Sequence, residues 1–225
     1  MDQDSPKIAL VTGASRGLGA ALAEALGAAG HHVIALARTT GALEELDDRI
    51  RKSGGPAATL VPMDVTEPAA MMQLAGAIAA RWGGLDIWVH TAIHAAPLAP
   101  AGHVDGKDWA KSFATNATAT QNLIGLIEPL LRARGGLAVF PDDPRGGQRF
   151  FGAYGASKAA QMALVASWQA ESQKLGPRVL MPVPAPMPTA TRARFFPGED
   201  RTALSPCAVE AARIMAAIMQ EDRAQ

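Results

Sequence analysis

The sequence predicts an α/β fold in which a parallel sheet of about six strands is doubly wound by helices, as one domain over residues 1–225. Three observations predict it. Short apolar runs alternate with longer Ala-rich segments of helical pattern, the order that arises when each parallel strand is followed by a crossover helix. The short runs are apolar almost throughout, as strands covered on both faces must be. Glycines stand just past several helical segments, at 30, 54, 83, 135 and 176, where a chain commonly leaves a helix through a left-handed residue.

In chain order, strands are expected near 7–11, 32–37, 58–63, 85–90, 136–140 and 178–183. Helices are expected over 19–29, 41–52, 68–81, 107–132, 154–174 and 206–220. The stretch 185–205 is rich in Pro and weak in periodicity, so it reads as a long loop, a lid between the last strand and the last helix.

A chain of 225 residues, 48% hydrophobic, can bury a continuous core. Basic and acidic residues balance at 21 each, which leaves no net field to gather nucleic acid or to hold an anionic membrane. A small-molecule partner is expected instead. The apolar runs are of strand length, short of the roughly 20 residues of a membrane helix. The lone Cys207 cannot form an internal disulfide and the first residues lack the pattern of a secretory signal, so a cytoplasmic setting is expected.

Between the first strand and the first helix stands Thr12-Gly13-Ala14-Ser15-Arg16-Gly17-Leu18-Gly19. Glycines at 13, 17 and 19 allow a sharp turn and a close approach to a pyrophosphate, whose charge the N–H groups at the helix start can meet. This is the phosphate turn of a dinucleotide-binding Rossmann fold. The second strand ends in Ala37-Arg38, where a fold preferring NAD places a carboxylate on the ribose. Arg38, with Arg16 in the turn, offers guanidinium donors to a 2′-phosphate, which favours NADP(H) over NAD(H).

Further on, Tyr154 and Lys158 stand four residues apart, on one face of a helix. A phenol with its ordinary pKa of about 10 is a poor base at neutrality, and a neighbouring ammonium makes it a better one. The pair could therefore exchange a proton as hydride moves to or from an adjacent carbon.

From about residue 7 to 189 the sequence resembles the short-chain dehydrogenase/reductase family, through its Thr-Gly-x-x-x-Gly-x-Gly turn and its Tyr-x-x-x-Lys pair. The resemblance implies an NADP(H)-dependent oxidoreductase acting on a carbonyl or alcohol. It implies cofactor contacts at Gly13, Ser15, Arg16, Gly17, Leu18, Gly19, Arg38, Asp64, Val65, Ala92, Tyr154, Lys158 and Thr189. Tyr154 becomes the acid/base, Lys158 its support and a holder of the nicotinamide ribose, and Asn116 the residue completing a proton relay to the lysine. Thr189, five residues after Pro184, would bond the carboxamide.

The chain also departs from the family. No Ser or Thr lies between Gly135 and Tyr154, so the usual serine is missing and Pro141 or Asp142 stands in its place. An ionised Asp142 could not donate to a developing alkoxide, whereas a protonated one could. His90-Thr91-Ala92-Ile93 stands where the family usually has Asn-Asn-Ala-Gly. His90 and His94 do not share a helix face and no carboxylate or Cys cluster accompanies them, so no metal site is expected. The family's seventh strand is expected to be missing, with a homodimer formed through the 107–132 and 154–174 helices. The missing serine keeps a second reading open: a family member that binds NADP(H) with little or no turnover, as a scaffold or redox sensor.

Overall fold

Apolar residues at alternate positions of a strand point to opposite faces of a sheet, so a strand that is apolar throughout needs cover on both sides. The computed structural model, which describes residues 6–223, has this arrangement. Six strands, β1 (Ile8–Thr12), β2 (His32–Ala37), β3 (Thr59–Pro62), β4 (Ile87–His90), β5 (Leu137–Val139) and β6 (Arg178–Leu180), form one parallel sheet in the order β3-β2-β1-β4-β5-β6. Ile8, Leu10, Trp88 and Ala138 pack on one face, while Ala9, Val11, Val89 and Val139 pack on the other.

The first face is covered by α3 (Pro68–Trp82), α5 (Ala119–Arg134) and α6 (Gly152–Ser172), the second by α1 (Gly17–Ala28), α2 (Thr40–Lys52) and α8 (Cys207–Arg223). Gly30, Gly54, Gly83 and Gly135 follow their helices at φ between 63° and 86°, the left-handed exits expected of them. Gly176 has no such φ; a Cβ there would meet Ser172 at 2.5 Å, so close approach requires it.

Three expectations are corrected. The helix expected over 107–132 is broken into α4 (Gly106–Phe113), a π-helical turn over Ala114–Thr118, and α5. Asn116 sits in that turn, and π-turns widen a helix enough to redirect a side chain. The last strand stops at Leu180 rather than 183 because Pro182 and Pro184 bring no N–H to the ladder. The chain nevertheless stays beside the end of β5: Phe140 donates its N–H to the Leu180 carbonyl and Asp142 donates to that of Pro182, both at 2.8 Å. The 185–205 stretch is no plain loop, since it holds α7 (Ala190–Phe195), capped by the Thr189 hydroxyl.

The stretch Arg201–Glu221 is long and apolar enough by composition to cross a membrane, contrary to the length argument above. Its Ala211, Ile214, Met215 and Ile218 are buried in the core cluster that α1 and the sheet also build. This is how the stripe of an amphipathic core helix behaves.

The strand order reverses between β1 and β4, where a crevice opens at the carboxyl ends of the strands. Gly13 and Gly19 line this crevice for a reason other than ligand access alone. A Cβ on Gly13, whose φ is +87°, would lie 2.5 Å from the Ala92 nitrogen, and one on Gly19 would lie 2.3 Å from Thr91 Oγ1. Gly13→Ala is expected to destabilise the fold by roughly 3 kcal/mol, combining backbone strain and overpacking. Gly41→Ala in α2, which meets open space, should instead stabilise by up to about 1 kcal/mol. Denaturant midpoints of the two variants check both signs.

Candidate active site

One cleft collects nearly all the residues expected to act. Gly13, Ser15, Arg16, Gly17, Leu18 and Gly19 line it from the glycine turn, Arg38 from the end of β2, and Asp64 and Val65 from the segment after β3. Ala92 joins from beyond β4, Asp142 from beyond β5, Tyr154 and Lys158 from α6, and Thr189 from the start of α7. Asn116 does not line the cleft.

At the turn, no side chain caps the start of α1. The N–H groups of a first helical turn have no partner within the helix, so this end is open to an anion. Gly17, at φ +58°, faces Thr189, whose methyl a Cβ would touch at 3.4 Å. Arg16 is exposed at the same end. The guanidinium of Arg38 lies 3.6 Å from an Asp64 oxygen, so a carboxylate does stand beside it, although not one carried by β2. Burial opposes ionisation of Asp64, but the Thr66 N–H and hydroxyl, helped by Arg38, outweigh it and hold the carboxyl below its usual range. With Arg38 largely exposed, this pair is weak and exchangeable.

At the other end, Tyr154 is 4% exposed, beneath Phe195 of α7 with ring centroids 4.8 Å apart. Its hydroxyl donates to Asp143 Oδ2 at 3.0 Å, and Asp143 Oδ1 accepts from Arg145 Nε at 2.8 Å. Burial, then the charge and hydrogen bond of Asp143, push the phenol well above its ordinary value. Asp142, expected in the place of the serine, is joined there by a second carboxylate. Asp142 lines the cleft, but its Oδ1 accepts the Asp143 N–H at 2.7 Å, and the carboxylate on the phenol belongs to Asp143. The backbone bond from Asp142 to Pro182 sets this register.

Lys158 is 6% exposed, and burial lowers its pKa to about 8 even though Asp142 and Asp143 favour the charged form. Nζ donates to the Pro141 carbonyl and to Gln161 Oε1, each at 2.7 Å. Asn116 is fully buried and engaged elsewhere: its Oδ1 accepts from the His94 N–H at 2.7 Å, and its Nδ2 donates to the His94 carbonyl and to Ser157 Oγ. It fastens the segment after β4 to α6, and its side chain has no bond to Lys158.

The Thr189 hydroxyl accepts from the Arg192 N–H and keeps its own hydrogen to give. Arg192 pairs with Glu199 at 2.6 Å, which folds the lid back on itself. Among the described residues no group of three or more His, Cys, Asp or Glu could hold a metal ion. Sequence reasoning passed over Arg145 and Gln161, and gave Asp143 no contact with the phenol. Only Gln161 left a signal, three residues after Lys158 on the same helix face.

A family model described as short chain dehydrogenase matches residues 7–200. The chain belongs to the short-chain dehydrogenase family. An uncharacterised oxidoreductase of Mycobacterium tuberculosis is 36% identical over 158 residues, 68% of this chain and 59% of that protein. A sorbitol dehydrogenase of Cereibacter sphaeroides is 32% identical over 171 residues, 72% of this chain and 62% of that protein. The chain thus spans less than two thirds of either relative. Among solved structures, a short chain dehydrogenase of Shigella flexneri complexed with NADP superposes with a TM-score of 0.85 at 30% identity, covering 90% of this chain and 86% of that one. One from Escherichia coli complexed with NADPH gives 0.85 at 31% identity, with the same coverage. The chain shares with these neighbours a parallel sheet flanked by helices.

Proposed function

We propose that this short-chain dehydrogenase is an NADP(H)-dependent oxidoreductase acting on a carbonyl or alcohol. The observation that carries the reading is that the Tyr154 hydroxyl and the Lys158 ammonium face the same cleft as the uncapped start of α1. The residues present fit the cofactor: an open helix N-terminus, glycine at 17, and two arginines at the same end of the cleft. The NADP and NADPH complexes of the Shigella and Escherichia neighbours support the choice of cofactor.

When bound, NADP(H) supplies or accepts the hydride. Ser15, Arg16, Leu18 and Arg38 would hold its phosphates, Asp64, Val65 and Ala92 would flank the nucleoside parts, and Thr189 would offer its hydroxyl to the carboxamide. Lys158 commits two N–H groups to Pro141 and Gln161, which leaves the third for a ribose hydroxyl. Tyr154 gives its proton to the oxygen of a reduced carbonyl. Asp143 stands where a neutral donor would serve that oxygen, and it opposes a tyrosinate at neutral pH. A phenol kept protonated is in the form from which reduction starts, while the tyrosinate left once its proton is given is what Asp143 opposes.

The same bond favours the second reading, a member that binds NADP(H) with little turnover, because the phenol proton is already committed to Asp143. Fluorescence titration with NADPH and NADH, beside NADPH consumption across a panel of aldehydes and ketones, separates the two. We expect NADPH to bind at least tenfold more tightly than NADH, and at least one carbonyl to be reduced. Binding without consumption would establish the second reading, and absence of NADPH binding would defeat both. A homodimer through α4 and α5, which together span the 107–132 stretch, and α6, in a cytoplasmic setting, completes the proposal. Half-exposed Trp109 on α4 supports the former and the single Cys207 the latter.

A further inference from the structure

A buried chain of hydrogen bonds joins the two ends of the cleft. Lys158 Nζ donates to Gln161 Oε1 at 2.7 Å, and Gln161 Nε2 donates to Thr120 Oγ1 at 2.8 Å. Thr120 Oγ1 lies 3.1 Å from His90 Nε2, and His90 Nδ1 lies 2.7 Å from Thr12 Oγ1 at the head of the glycine turn. All five residues are buried, and four elements, α6, α5, β4 and β1, contribute them.

The donors converge on Thr120 from both ends of the chain. Thr120 has one hydroxyl hydrogen, and at 2.9 Å it goes to the Asn116 carbonyl. Its oxygen then accepts from both Gln161 and His90, so the neutral imidazole carries its hydrogen on Nε2. The bare Nδ1 accepts from the Thr12 hydroxyl at 2.7 Å, nearer than the Val89 carbonyl that the same hydroxyl reaches at 3.2 Å, and the Thr12 oxygen receives the Trp88 indole N–H at 3.4 Å. Burial, with the charge of Lys158, holds His90 down to about 3, so the imidazole stays neutral in this chain.

We propose that Gln161 is a positioning residue for Lys158 and that, through Thr120 and neutral His90, it ties the ammonium to the glycine turn. An ammonium has three N–H groups; with two fixed by Pro141 and Gln161, the direction of the third is determined. Without Gln161, one carbonyl would hold a point charge on a flexible stem. A polar chain in a core costs desolvation that apolar residues would avoid, so what it contributes is orientation. The charges facing Lys158 are Asp142 and Asp143, which favour the ammonium; neutral His90 shares its cavity.

The inference rests on the reading of Lys158 as a ligand of the cofactor, and the test keeps the two apart. In protein labelled with 13C-lysine, the Lys158 ε-carbon, assigned through Lys158→Arg, should titrate near 8. Gln161→Leu removes the acceptor and should lower that midpoint by about one unit. Gln161→Glu, close to isosteric, should raise it by about as much. NADPH affinity at pH 7 should fall roughly tenfold in Gln161→Leu, as befits a lost hydrogen bond to a charged group, and recover in Gln161→Glu. A midpoint unmoved by both variants, or moved the same way by both, would overturn the positioning role. If Gln161→Leu does not fold, the upward shift in Gln161→Glu alone decides. A wild-type protein that binds no NADPH would defeat the functional reading while leaving the titration to judge the strut.

Discussion

Asp143→Asn is expected to raise carbonyl reduction about a hundredfold. The gain is that of supplying one neutral hydrogen-bond donor where charge develops on the substrate oxygen, typically about a hundredfold to a thousandfold in rate. In the native chain the Tyr154 proton points at Asp143 Oδ2, and any negative charge forming on substrate or phenol meets that carboxylate. The amide of Asn carries no charge and brings N–H donors, while its oxygen can still accept from Arg145. The Arg145 pair is only partly buried, so losing its ionic part should cost about 1 kcal/mol or less. The sequence contains one tyrosine, so absorbance near 295 nm reports Tyr154 directly. Native Tyr154 should ionise above its ordinary value, and the Asn variant should move it down. A folded-state pKa above the unfolded one contributes stability that is present below about pH 10 and lost as pH rises through the raised value. Asp143→Asn should narrow that alkaline window. A rate no higher than native, with the tyrosine shifted, would locate the obstacle elsewhere in the cleft.

Tyr154→Phe is expected to lower turnover by about a hundredfold to ten-thousandfold while leaving NADPH affinity within about threefold, the loss of a positioned general acid without loss of the binding surface. The ring keeps its contacts with Phe195 and Phe151. Asp143 keeps its bond to Arg145, so folding stability should change by roughly 1 kcal/mol. Single-turnover oxidation of bound NADPH with the best carbonyl of the panel measures the effect. Unchanged turnover would remove Tyr154 from the chemistry.

The sheet was legible because its cause is local. A strand apolar at every position, such as Val33 to Ala37, states by itself that both faces are covered, and a glycine such as Gly83 states where its helix ends. The glycine turn was legible in position, although part of the reason for Gly13 and Gly19 is contact with Thr91 and Ala92, some eighty residues away. The π-turn at Asn116 left no mark, because a helix that widens by one residue keeps its composition. Asp142 and Asp143 are adjacent and of one kind, and nothing local says which meets the phenol.

By itself, the sequence determined the doubly wound sheet, the cleft at the glycine turn and the placing of Tyr154 and Lys158 on one helix, since each depends on spacing within one or two elements. Only the tertiary structure decided that Asp143 holds the phenol proton, that Asn116 is spent on His94 and Ser157, and that Gln161 takes the lysine. Hydrogen-bond partners are chosen within about 3 Å, and side chains reach that distance only after separate elements pack.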